Sequence, residues 1–209
     1  MILVHPTYFP SVSHMIAITK AKEIIFEIED NYQKQTYRNR VYIAHSNGKL
    51  SLNVPVKHSK NGERQKTKEV CIENSFPWQS QHWKSLQTAY RTSPFFEYYE
   101  DDLEPLFKDS VENLLELNLK IFEVLCEIME IPCRFSFSNE YIKNPKEKDL
   151  RYLVEAKTEP DFPFTPYQQV LQEKHGFLPN LSVLDLLFNE GPNAVHYLEN
   201  QVIDFSLPS

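Results

Sequence analysis

The spacing of apolar positions changes period twice within the first thirty residues. Ile2-Leu3-Val4 is a short apolar run, and His5-Pro6-Thr7-Tyr8-Phe9-Pro10 breaks it. Residues 11–23 then carry Val12, Met15, Ile16 and Thr19 at helical spacing, and residues 24–28 are again an apolar run, ending in Glu29-Asp30. Strand, loop, helix and strand within about thirty residues predict a βαβ unit. Such units close right-handed with their strands parallel. His5 and the Glu29-Asp30 pair then fall at the carboxyl ends of strands, the edge at which open α/β sheets bind ligands. Ser11 or Ser13 is placed to cap the helix. Its free N–H groups, beside His5 and Tyr8, form a ready anion site. His14, in the first turn, reads either as a half-buried packing residue or as a ligand contact, and it stays among the ligand-binding candidates.

Residues 31–40 have no apolar period and hold Gln33, Lys34, Tyr37, Arg38, Asn39 and Arg40 directly after the second strand. A charge run of this kind is a solvated connection by default. Its position at the ligand edge favours binding, since forked cations and amides hold carboxylates and phosphates. Residues 41–44 and 50–54 alternate around Asn47-Gly48, which predicts a hairpin with a two-residue I′ turn. Residues 57–68, with five cations and one Glu, are expected to be an exposed loop, read as inert solvated surface in preference to a mobile phosphate-gathering flap, and residues 68–73 a further strand. Pro77 opens a helix to about residue 92, with Trp83, Leu86 and Tyr90 on one stripe and His82 on the next. Ser93-Pro94 is expected to start an aromatic and acidic helix over residues 95–107, read as core or interface.

The clearest helix spans residues 109–131, capped by Asp109 with Glu112 and stopped by Pro132. Asn118 lies within its apolar stripe and needs a buried partner. Residues 134–138 read as a strand and 143–151 as a charged linker. Residues 160–166 form a stiff, proline-rich surface segment, and 167–174 are helical. Ser182 with Asp185 caps a last helix over 183–188, closed by Gly191-Pro192. The fold class is therefore α/β. An N-terminal βαβ unit builds a partly parallel, Rossmann-like sheet, with a β-hairpin and a C-terminal helical half. Residues 1–209 read as one domain, 1–75 sheet-forming and 76–209 mainly helical.

Composition narrows the chemistry. The 209 residues carry a net charge of −7, which argues against a general nucleic-acid binder. The four glycines never cluster, so there is no glycine-rich phosphate loop. No apolar run approaches the roughly 18 to 20 residues of a membrane span, and no secretory signal is visible. A cytoplasmic protein is expected. Cys71, Cys126 and Cys133 are odd in number, lack metal-ligand spacing and read as buried free thiols, and no metal is expected.

Several stretches resemble the WbqC-like protein family, in order and over nearly the whole chain. They are HPTYFPSVSHM, EIEDNYQKQTYRNRVYI with the hairpin and LNVPV, WQSQHWKSLQTAYRTSPFFEYYEDDLEPLF, and GFLPNLSVLDLLFNEGP. The resemblance implies a cytoplasmic, single-domain protein of surface polysaccharide and O-antigen assembly. Its substrate would be an activated sugar or amino acid, and a glycine-transferring role has been proposed for the family. The family's recurring positions are matched by Pro6, Tyr8, Pro10, Gln33, Lys34, Asn39, Arg40, His82, Trp83, Tyr90 and Asp185. His5 replaces a common Gln, and Ser13-His14 a common Gly-Tyr. A looser resemblance to the nucleotidylyltransferase pattern casts His5, Thr7 and His14 as stabilisers of phosphoryl charge, but the glycine before its second histidine is missing.

Two functions follow. In a transferase acting on a nucleotide-linked sugar or amino-acid donor, His5, His82 and Asp30 are the catalytic candidates. Tyr8, His14, Gln33, Lys34, Tyr37, Asn39 and Arg40 would bind a small-molecule ligand, with a nucleotide or nucleotide sugar as the suspected cofactor. In the alternative, the chain is a non-catalytic ligand-binding or scaffold subunit of a glycan-assembly complex, with residues 95–107 as interface and a second copy or a glycan-assembly protein as partner. An enzyme should gather His5, Tyr8, Asp30, Asn39, Arg40 and His82 around one pocket. A scaffold should scatter them and expose the aromatics.

Overall fold

The computed structural model describes residues 1–57, 64–158 and 160–206. Residues 58–63 of the expected exposed loop lie outside the described residues. The predicted βαβ unit is present. Strand β1 (Ile2–Val4) leads through helix α1 (Val12–Thr19) to β2 (Ile24–Phe26), paired in parallel as Ile2↔Ile24, Leu3↔Ile25 and Val4↔Phe26. Ser11 caps α1, accepting from the His14 N–H. Buried residues run around most of α1, as expected of a helix packed on several sides, and it meets both later helices near the C-terminus. Phe9, in the loop before α1, has φ +46, a costly backbone state for a bulky side chain. Its ring is fixed by stacking on Phe107 and an edge contact with Tyr8.

Hairpin strands β3 (Arg40–His45) and β4 (Gly48–Asn53) form a separate antiparallel pair. The turn is Ser46-Asn47, and the positive φ, +105, falls on Gly48. A I′ turn at Asn47-Gly48 would need positive φ at both residues, so the expected turn type is corrected to one of the glycine-bulged kind. Residues 68–73 are not a strand. Thr67–Glu69 is a 3₁₀ turn, and Cys71 and Ile72 form only isolated bridges, because Asn113 and Val56 reach them from different directions.

Helices α2 (Trp78–Tyr90) and α3 (Phe96–Leu103) follow. Ser93 does not cap α3, since its hydroxyl donates back to the Tyr90 carbonyl. The main helix, α4 (Leu114–Ile128), is shorter than the periodicity suggested. Asn113 caps it, accepting from the Leu115 and Glu116 N–H groups, and Asp109 pairs with Lys120 instead. Its Phe122 packs edge-on against Phe26 and Phe135, laying α4 on the sheet. Buried Asn118 finds its partners, donating to the carbonyls of Arg38 (2.8 Å) and Pro6 (3.4 Å).

Strand β5 (Phe135–Phe137) joins the outer side of β2, and β6 (Lys148–Asp149) joins β1, both parallel. The sheet order is β5-β2-β1-β6. Residues 143–151, expected to be a linker, therefore contain an edge strand, too short and too charged to show any period. Residues 167–174 reduce to α5 (Gln172–His175). Helix α6 (Val183–Glu190) is capped by Ser182 and closed at Gly191, whose φ is +55 and where a Cβ would strike the Phe95 ring at about 2.5 Å. It is not the last helix, since α7 (Asn193–Asn200) follows. No helix among the described residues is long and apolar enough to cross a membrane. Of the cysteines only Cys126 is buried. Cys71 is half-buried and Cys133 exposed, which corrects the reading of three buried thiols.

Candidate functional site

Because all four strands run the same way, one rim of the sheet collects the residue that follows each strand: His5, Glu27, Ser138 and, one further on, Arg151. Charges cluster where parallel strands end and leave backbone groups open. Glu27 is fully buried. Its carboxylate accepts from the Ser138 hydroxyl (2.7 Å), the Glu29 N–H (2.9 Å) and Arg151 Nη1 (3.4 Å). Arg151 also donates to both Asp149 oxygens and to the Ile142 carbonyl, so its fork ties the β6 edge to the loop after β5.

Above this layer opens a cleft of about 670 Å³, lined by His5, Asp30, Gln33, Arg38, Lys66 and Arg151 among others. At its floor Arg38, 1% exposed, donates from Nη2 to Asp30 Oδ2 (2.6 Å) and to His5 Nε2 (2.8 Å). Asp30 Oδ1 accepts from the Thr67 hydroxyl at 2.6 Å. His5 Nδ1 donates to the Glu27 carbonyl at 3.2 Å, so the ring is the Nδ1–H tautomer with its lone pair turned to Arg38. Burial first, and then the Arg38 guanidinium, hold this imidazole well below its ordinary pKa. His5 is therefore neutral at neutral pH, with its basic nitrogen already engaged. At the mouth Glu29 is paired with Lys66 and Lys68, whose hydrogen bonds lower its carboxyl pKa. Glu140 and Glu155 add further carboxylates, so the cleft mixes both signs of charge.

The residues expected to form one site fall into three places. His5, Asp30 and Gln33 meet in this cleft, joined by Arg38. Lys34, Asn39 and Arg40 line a second recess beside the hairpin. Tyr8, His14, Tyr37 and His82 lie in the core. The Tyr8 hydroxyl donates to His82 Nδ1 at 2.8 Å, and both rings pack against Trp78. Burial lowers the His82 imidazole to about 4. His14 is buried rather than half-buried, neither ring nitrogen has a hydrogen-bond partner among the described residues, and burial lowers it to about 4. The single pocket expected of an enzyme is thus divided. The exposed aromatic patch expected of a scaffold is also missing, for Phe96, Tyr99 and Phe107 are buried and Tyr98 alone of that run stands in solvent.

Sequence reasoning did not single out Glu27, Lys66 or Arg151. A lone acid inside the apolar run 24–28 was the available signal for Glu27, since a buried charge requires a partner. Arg151 gave none. Asp185 proves to be a buried hub rather than a cap, accepting from Tyr90 (2.9 Å), Tyr167 (2.5 Å) and Gln169 (2.8 Å).

A family model described as the WbqC-like protein family matches residues 5–160 and 160–197. A protein of Mycobacterium tuberculosis named as the uncharacterized protein Rv1507c is 27% identical over 223 residues, covering 94% of this chain and 96% of the relative. No solved structure matches.

Proposed function

The chain belongs to the WbqC-like protein family, and from that membership and the carboxyl-edge cleft we propose a cytoplasmic transferase of surface-polysaccharide or O-antigen assembly. Its substrate is an activated sugar or an amino-acid (glycyl) donor. One observation carries the reading: a buried Arg38–Asp30–His5 cluster forms the floor of an open cleft at the ligand edge of a parallel sheet. A buried ion pair contributes little net stability, so its presence beneath a cleft favours a role toward a ligand.

The lining residues suggest how such a site works. Their forked cations and carboxylates suit catalysis by positioning and charge stabilisation. Arg38 and Lys66 are suited to a carboxylate or phosphate, and Glu140 and Glu155 to an ammonium group. His5 is not a free base while Arg38 holds its Nε2. A substrate anion that takes up Arg38 frees that lone pair, 3.7 Å from Asp30, and so makes a base available only once the substrate is bound.

The test is a thermal-shift screen of nucleotides, nucleotide sugars and amino acids, with transfer products followed by mass spectrometry. The reading expects a stabilising compound whose effect is lost in Arg38→Lys, which keeps the charge but not the fork. If every stabilising compound stabilises parent and variant equally, or no bound compound is turned over, the reading fails.

A further inference from the structure

Across residues 31–40 from the first cleft lies the recess beside the hairpin, of about 570 Å³. The segment is their shared wall. Asn31 and Gln33 line the carboxyl-edge cleft, and Tyr32 and Lys34 line the recess. Three observations distinguish the recess from inert surface. Among the described residues its lining carries three cations, Lys34, Arg40 and Lys57, against one carboxylate, Glu73. It holds polar atoms without partners. Arg40 gives Nε to Asn53 Oδ1 (2.6 Å) and Nη1 to the Tyr42 hydroxyl (3.4 Å), and Nη2 has none among the described residues. The buried Tyr32 hydroxyl and Asn39 Oδ1 likewise have none. Third, Phe76, 61% exposed, presents an aromatic ring at the rim beside Pro55 and Val56.

We infer that this recess is a nucleoside-phosphate site. Arg40, Lys34 and Lys57 take the phosphate oxygens, and forked and point cations together suit a diphosphate. Phe76 offers its face to the base, a contact open to any nucleobase. Tyr32 as donor and Asn39 Oδ1 as acceptor match the two-way hydrogen bonding of ribose hydroxyls. The mixed-sign first cleft is the poorer host for a polyphosphate, because its carboxylates repel the added charge. Tyr32 lies close enough to Arg38 and Arg40 for both to act on its phenol, so a ligand here adjoins the first cleft. The inference does not depend on chemistry occurring there.

Isothermal titration of the full chain with uridine, adenosine, guanosine and cytidine diphosphates, and with pyrophosphate, tests it. At least one nucleoside diphosphate should bind, and more tightly than pyrophosphate. Arg40→Gln and Lys57→Ala should each weaken both kinds of probe by about tenfold, the loss of one charge-assisted contact. Phe76→Ala should weaken the nucleoside diphosphate by about tenfold and leave pyrophosphate unchanged. Lys84→Ala, an exposed cation outside both clefts, should change neither. Lys57 and Phe76 are exposed, so their variants keep the fold and the test holds even if Arg40→Gln does not. The inference is overturned if none of the five probes binds, if Phe76→Ala has no effect, if Lys57→Ala leaves binding unchanged, or if Lys84→Ala weakens it as much as Lys57→Ala does. Nucleotide binding at the recess without any transfer product would instead contradict the proposed function and leave this site standing.

Discussion

Arg38 and Arg40 are two residues apart and belong to different clefts, where the same side chain has opposite circumstances. Arg38 is buried and held by Asp30, His5 and the Thr36 hydroxyl. Arg40 is partly exposed, held to its own hairpin by Asn53 and Tyr42, and its Nη2 has no partner among the described residues. In a continuous strand, residues i and i+2 share a face. Here Arg38 sits inside the turn over residues 36–39, closed by the Asn39 N–H on the Thr36 carbonyl at 3.3 Å, and Arg40 begins the strand, so the alternation does not hold and the two guanidinia part. The contrast shows that residue type and spacing are poor guides to a cation's availability. Burial and pairing decide it.

The largest expected effect breaks that comparison directly. Arg38→Ala leaves Asp30 buried without its charge partner and should cost about 3–5 kcal/mol. Arg40→Ala, at a part-exposed site, should fall within about 0.5 kcal/mol. Urea unfolding of both variants measures the difference, and similar values would show that the two arginines do not differ in role.

Acid should sharpen it next. His14 has a folded pKa of about 4 against an ordinary 6.5, so between those values the unfolded chain binds the extra proton. Stability contributed by neutral, buried His14 is full above about pH 6.5, falls as pH drops through the window and is lost near pH 4. The total is at most about 3 kcal/mol for this residue. His14→Leu removes an imidazole with no hydrogen-bond partner among the described residues and should reduce the slope of unfolding free energy between pH 4 and 6.5 by its share, with His5 and His82 supplying the rest. An unchanged slope would contradict the burial argument.

Salt gives the smallest effect. Anion binding at the recess should weaken between 50 and 300 mM salt, because Lys34, Arg40 and Lys57 act largely through solvent. Binding at the enclosed Arg38 should weaken less. Equal salt dependence at the two clefts would count against separate sites.

The βαβ unit was legible because its evidence was local: two apolar runs, a Ser cap and a helical period. From it followed the carboxyl edge, and with it the placement of His5 and Asp30 beside one cleft. The edge strand β6 was not legible, since two charged residues pair only through backbone and leave no side-chain pattern. Arg151 was hidden with it. Tyr8 and His82 looked like site residues because both are polar, aromatic and in recurring stretches. They are 74 positions apart, and no sequence pattern shows that they satisfy each other against Trp78 in the core. The split between Arg38 and Arg40 depended on the four-residue turn from Thr36 to Asn39 inside a segment with no period at all.

The most direct test of the account is a ligand-induced thermal shift measured on the parent and on Arg38→Lys over one panel of nucleotides, nucleotide sugars and amino acids. The account predicts at least one compound that stabilises the parent and fails to stabilise the variant. A panel that shifts both proteins alike, or neither, would contradict a substrate site at the carboxyl edge of the sheet.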